Sequence, residues 1–112
     1  MFVELKNNET VQEYLEPGKV SVIKFATTTC PPCKMLKPIF EKLGKEDEEM
    51  KDVIFIAADA NEHPQAYQYQ VSSVPTILFY KGEEVLGQNV GFVPEKALKD
   101  FIKKTQSEMA QA

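Results

Sequence analysis

Seven consecutive residues, Val20-Ser21-Val22-Ile23-Lys24-Phe25-Ala26, form a run rich in β-branched side chains with few polar breaks. A surface strand alternates polar and apolar positions, so a run this continuous reads as a central strand covered on both faces. Lys24 is the anomaly within it. Val53-Ile54-Phe55-Ile56-Ala57-Ala58 is a second buried strand, ended by Asp59-Ala60-Asn61. Between the two runs, Cys33, Leu36, Ile39, Phe40 and Leu43 recur by threes and fours. That spacing predicts a helix with one stripe, Cys33 included, turned toward the sheet. Pro38 lies in its interior, where a missing N–H and a bulky ring are expected to kink it.

The remaining elements follow from the same rules. Phe2 to Leu5 reads as a short strand, and Asn7-Asn8-Glu9 offers caps for a helix carrying Val11, Tyr14 and Leu15, stopped by Pro17-Gly18. A short helix is expected around Glu62 to Tyr69 and a strand over Pro75 to Tyr80. The turn Lys81-Gly82-Glu83-Glu84 then leads into a last strand, Val85 to Val90. A final helix starts at Pro94 and buries Leu98, Phe101 and Ile102. The result is a single α/β domain, five strands with parallel and antiparallel parts, flanked by about four helices. From Thr105 onward no apolar period remains, so the domain is placed at residues 1–106 with a flexible tail over 107–112. Tyr67, Tyr69 and Tyr80 are read as packing residues, and Glu46-Asp47-Glu48-Glu49 as a solvated helix end.

The only two cysteines, Cys30 and Cys33, are separated by Pro31 and Pro32 at the junction of the central strand and the helix. Three residues of separation bring both sulfurs onto one side of the helix's first turn, where they can close into a small ring or open by exchange. Two structural readings compete with this redox one: a buried stabilising disulfide, or half of a zinc site. Zinc needs four ligands, and His63 is the sole histidine.

Composition narrows the function classes. A net charge of −4, with no basic stripe, gives nucleic-acid binding no electrostatic support. No segment is long enough to span a bilayer, and the N-terminus lacks the basic start and apolar stretch of a signal peptide. A soluble, cytoplasmic protein is expected, and in a reducing compartment a lone cysteine pair is more often catalytic than structural.

The chain resembles the thioredoxin family over nearly its whole length. The family's Cys-Gly-Pro-Cys-Lys-Met, with a proline five residues after the second cysteine, is similar to Cys30-Pro31-Pro32-Cys33-Lys34-Met35 with Pro38. Its Ile-Pro-Thr, whose proline is cis and faces the active site, is similar to Val74-Pro75-Thr76. Its glycine in the last strand resembles Gly91, and its aspartate after the third strand Asp59. Departures accompany these matches. Thr29 stands where a tryptophan usually precedes the first cysteine, and Pro31 replaces a glycine. The family's buried acid, six positions before the first cysteine, is Lys24 here, and the lysine that usually pairs with it is matched by Phe55.

The resemblance implies a thioredoxin fold and a thiol–disulfide oxidoreductase that reduces protein disulfides, Cys30 attacking and Cys33 resolving. Cys30, at a helix N-terminus with Lys34 nearby, is expected to favour thiolate; both intervening prolines lack an N–H, leaving that of Cys33 as the local donor. Lys24 would either take the proton of Cys33 or stabilise the thiolates as a cation, unless it snorkels to the sheet edge and touches neither sulfur. Pro31, Pro32, Val74, Pro75 and Gly91 are implied to line the substrate ledge, where Val74's peptide groups pair with an extended chain. No bound cofactor is expected; electrons would come from a separate flavin-dependent reductase using NADPH or another donor. The expected partners are disulfide-containing proteins and that reductase, with no nucleic acid, no membrane, and a monomeric state. Two alternatives remain: an oxidase or isomerase of the same fold, and a binding module that uses the surface and ignores the thiols.

Overall fold

The structure is a computed structural model that describes residues 1–61, 63, 65–69 and 71–110. Five strands, β1 (Phe2–Glu4), β2 (Val20–Ala26), β3 (Ile54–Asp59), β4 (Thr76–Lys81) and β5 (Glu84–Val90), form one sheet. Its order is β1-β3-β2-β4-β5. β1 and β2 both run parallel to β3, whereas β4 is antiparallel to β2 and β5 antiparallel to β4. The expected mixed sheet and thioredoxin fold are therefore present. Among the described residues three α-helices appear, α1 (Pro31–Lys45), α2 (Gln65–Gln68) and α3 (Glu95–Ala110), with 3-10 turns at Val11–Glu13 and Glu48–Met50.

β2 is central, as its continuous burial requires. Alternation along the strand sends Val20 and Val22 into a core formed with Leu36, Phe40 and Leu43 of α1 and Leu98 and Ile102 of α3. Ile23 and Phe25 enter a second core on the opposite face with Val11, Leu15, Ile56 and Leu78. Each such apolar side chain stabilises the fold by about 1.5–3 kcal/mol when fully buried. Gly44 lets α1 sit close to the sheet: a Cβ there would lie 3.0 Å from side-chain atoms of both Phe2 and Phe55.

Three expectations are corrected. The helix assigned to Val11, Tyr14 and Leu15 is only a 3-10 turn. The backbone N–H groups of Lys6 and Thr10 go instead to the carboxylates of Glu9 and Glu13 in local turns, and the residue before a proline is pushed out of helical geometry. Phe101 is 47% exposed and not buried; it leans on Phe79 with ring centroids 5.8 Å apart. Gly91 lies just past β5, as the expected strand end at Val90 requires, at φ +95°, a conformation that glycine adopts without a Cβ penalty. Finally, α3 continues to Ala110, beyond the limit at 106. Within α3, Thr105 is buried and donates its hydroxyl to Phe101 O, one turn earlier, at 3.0 Å. The expected helix around Glu62 to Tyr69 is the four-residue α2; Glu62, and the side chain of Tyr67, lie outside what is described. Tyr69 and Tyr80 do pack, ring on ring at 6.4 Å.

Candidate active site

The site begins where β2 stops. Cys30 is the N-cap of α1, in extended conformation, and Pro31 and Pro32 occupy the first two helical positions. A helix start leaves four N–H groups without partners; two prolines here remove two of them. The next free N–H belongs to Cys33 and points to Cys30 Sγ at 3.3 Å. The helix then closes its first turn from Lys34 N–H to Cys30 O at 3.1 Å. α1 runs on through Pro38 without interruption.

Cys30 and Cys33 are joined as a disulfide, their Cα atoms 5.2 Å apart. Their environments differ. Cys33 is 2% exposed within the apolar stripe of α1, while Cys30 is half-buried at the helix mouth. Cys30 Sγ lies 3.6 Å from Val74 O, so once reduced its thiol has an acceptor there. The Val74–Pro75 peptide is cis. Val74 N–H takes part in no hydrogen bond among the described residues. Gly91 completes the ledge by donating its N–H to Pro75 O at 2.8 Å. Cys30, Cys33, Val74, Pro75 and Gly91 are thus brought together from three separate stretches of sequence, with Pro31 and Pro32 at the rim.

Lys24 shares a face of β2 with Val20 and Val22, and so points to α1. It is 5% exposed, and its ammonium sits 5.1 Å from the centroid of the Phe40 ring. Burial pushes its pKa below the ordinary lysine value, a shift that Glu41 and Glu4 oppose and Lys37 reinforces. Snorkelling to the sheet edge is thereby excluded: the side chain lines one cleft with Cys33, about 470 Å³ in volume. Phe55, at the position of the family's lysine, stands beside Val22 in the sheet and packs edge-on against Phe40 at 5.2 Å. The sequence reading missed Phe40 as the partner of Lys24. Its signal was present, because Phe40 follows Cys33 by seven residues, two helical turns, and therefore shares its face.

Comparison with known proteins agrees with this geometry. The thioredoxin family's sequence model matches residues 2–104. A thioredoxin from Buchnera aphidicola is 36% identical over 100 residues, covering 89% of this chain and 91% of the relative. One from Mycoplasmoides gallisepticum is 29% identical over 100 residues, covering 88% and 97%. The solved thioredoxin of Malassezia sympodialis superposes with a TM-score of 0.81 at 27% identity, over 95% of this chain and 91% of that one. With an exchangeable cysteine pair at a helix mouth and this agreement in sequence and fold, the chain belongs to the thioredoxin family and is a thiol–disulfide oxidoreductase that reduces protein disulfides.

Proposed function

We propose that Cys30 is the attacking thiol and Cys33 the resolving one. The observation that carries this is the asymmetry of burial: Cys33 is 2% exposed, whereas Cys30 is half-buried beside the open backbone of Val74. In the dithiol form, the Cys30 thiolate attacks a substrate disulfide, forming a mixed disulfide and releasing one substrate thiolate. Cys33 then loses its proton and attacks Cys30 Sγ. The second substrate thiolate leaves, and two electrons have passed from the pair to the substrate. The Cys33 N–H, at 3.3 Å, and the positive end of α1 both stabilise charge on Cys30 Sγ.

The substrate's extended backbone pairs with Val74 beside Pro75 and Gly91, so recognition reads main chain and tolerates many sequences. Lys24 acts as a cation that stabilises thiolate in the Cys33 cleft, in place of the family's acid. Its contact with the Phe40 ring supports a charged state despite burial. Thioredoxins need no bound cofactor; we assign the return of electrons to a separate flavin-dependent reductase and the setting to the cytoplasm, where disulfides are kept reduced. No helix among the described residues is long and apolar enough to cross a membrane.

The test is turnover of insulin disulfides with dithiothreitol as donor. The protein accelerates precipitation of the insulin B chain, and replacing both cysteines by serine abolishes it. A double-serine variant that kept its activity in cells would instead identify a binding module.

A further inference from the structure

In the disulfide form, the cleft beside Cys33 holds hydrogen-bond donors that no thiolate meets. Lys24 is 5% exposed and lines it, yet its ammonium has no hydrogen bond or ion pair among the described residues, only the Phe40 ring. An ammonium carries three donors, and leaving them unmet in a buried position is costly. A ligand with an acceptor group that enters the cleft can satisfy them. Lys34 and Lys37 stand at its exposed rim, against Glu4 and Asp59. Glu41, which also acts on Lys24, is engaged by Lys45 at 3.2 Å, and Asp59 accepts from Asn61 N–H at 2.8 Å, so neither carboxylate contacts the Lys24 ammonium. Leu5 and Ala57 add an apolar wall. The volume, about 470 Å³, is that of a small-molecule site.

We propose that this cleft binds a small organic monocarboxylate, its carboxylate on the Lys24 ammonium and its short hydrocarbon body against Leu5 and Ala57, and that the disulfide form binds it more tightly than the dithiol form. The second part follows from charge. In the dithiol form a thiolate competes for the field of Lys24 and repels the carboxylate; in the disulfide form it is absent. By reciprocity the carboxylate then stabilises the disulfide and moves the couple in the reducing direction. Binding itself does not depend on which cysteine attacks; its redox dependence rests on the role proposed for Lys24.

The experiment is an amide NMR titration of the full chain, in both redox forms at pH about 8 so that thiolate is populated, with hexanoate and its neutral isostere hexanamide at matched ionic strength. Hexanoate is expected to shift the amides of Lys24, Cys33 and Ala57 saturably in the disulfide form. Hexanamide, and hexanoate with Lys24→Met, should bind at least about tenfold more weakly, the difference a charge-assisted hydrogen bond makes. The dithiol form should bind hexanoate several-fold more weakly. No saturable shift, equal affinity for acid and amide, or unchanged affinity in Lys24→Met overturns the site. Equal affinity for both redox forms overturns the coupling. The insulin assay stands apart from every one of these arms, so failure here leaves the disulfide-reductase reading intact.

Discussion

Lys24 and Phe40 form the contact on which the account of the cleft depends, and a double-mutant cycle measures it. Phe40 is fully buried, edge-on to Phe2 at 6.2 Å and to Phe55 at 5.2 Å, with Lys24 Nζ 5.1 Å from its centroid. Phe40→Leu keeps most of the apolar volume but removes both ring pairs, about 0.5–1.5 kcal/mol each. It also removes a desolvated cation–π contact worth about 0.5–2 kcal/mol. Lys24→Met removes a buried cation that has no carboxylate in contact among the described residues, so it is expected to leave stability unchanged or raise it by about 1–4 kcal/mol. Combined, the two substitutions should not add: Lys24→Met stabilises the Phe40→Leu protein more than the parent, by about 0.5–2 kcal/mol. The pH dependence has a definite sign. Lys24's folded pKa is depressed by burial, so the folded state binds fewer protons than the unfolded one only as pH rises above that lowered value. The gain from Lys24→Met is therefore full at neutral pH and shrinks as pH climbs toward 10.5, the ordinary lysine value. Urea unfolding of the four oxidised proteins gives the cycle. Additivity within about 0.3 kcal/mol would mean that Lys24 does not face Phe40, and the cleft argument would fall with it.

Lys24→Asp, which places an acid where the family usually has one, should move the Cys30–Cys33 couple in the reducing direction by on the order of 30 mV, about 1.4 kcal/mol; glutathione equilibration reads it, and no shift would mean that Lys24 exerts no field on the sulfurs. Ser21 is fully buried and its Oγ has no hydrogen-bond partner among the described residues, so Ser21→Ala should leave stability unchanged or raise it by about 1 kcal/mol; a clear loss in urea unfolding would contradict this. The ammonium of Lys99 joins α3 to Asp47 at 2.8 Å and Glu49 at 3.0 Å, and Lys103 and Lys99 hold Glu49 down at a pKa of about 2. That stability is full above the ordinary carboxylate range and drains as pH falls toward 2, so Glu49→Gln should flatten the acid limb of the unfolding profile in low salt, and an unchanged limb would show the cluster to be idle.

The sequence carried the sheet and the dithiol clearly because both rest on local chemistry. β2 was legible from an unbroken apolar run, and α1 from residues spaced by threes and fours that reappear as its buried stripe. The role of Cys33 N–H as the remaining donor followed from two prolines having none, and the structure sets it at 3.3 Å. What stayed hidden depends on how distant segments meet. The direction of Lys24 is fixed by which face of β2 receives α1, and a strand's own sequence does not say which face that is. The contact of Gly91 N–H with Pro75 O joins residues 16 apart through the β4–β5 hairpin. The loss of the first helix has a different cause: the apolar spacing at Val11, Tyr14 and Leu15 was real, but the Glu9 and Glu13 carboxylates close local turns there, and Val11 is buried from a 3-10 turn with Leu15 just beyond it. Phe101 sits on the expected helix face yet at its edge, where the sheet ends in the exposed strand β5.

The central claim, that Cys30 attacks and Cys33 resolves, is tested most directly by trapping the intermediate. Cys33→Ser and Cys30→Ser, each reduced and then offered a disulfide-bonded protein such as insulin, are separated without reductant and weighed intact by mass spectrometry. The account predicts a stable mixed disulfide on Cys30 in Cys33→Ser, because the attacker remains and its resolver is gone, and no adduct on Cys33 in Cys30→Ser, where the remaining thiol is shielded at 2% exposure. An adduct that accumulated on Cys33 of the Cys30→Ser protein, with none on Cys30 of the Cys33→Ser protein, would contradict it and reverse the two roles.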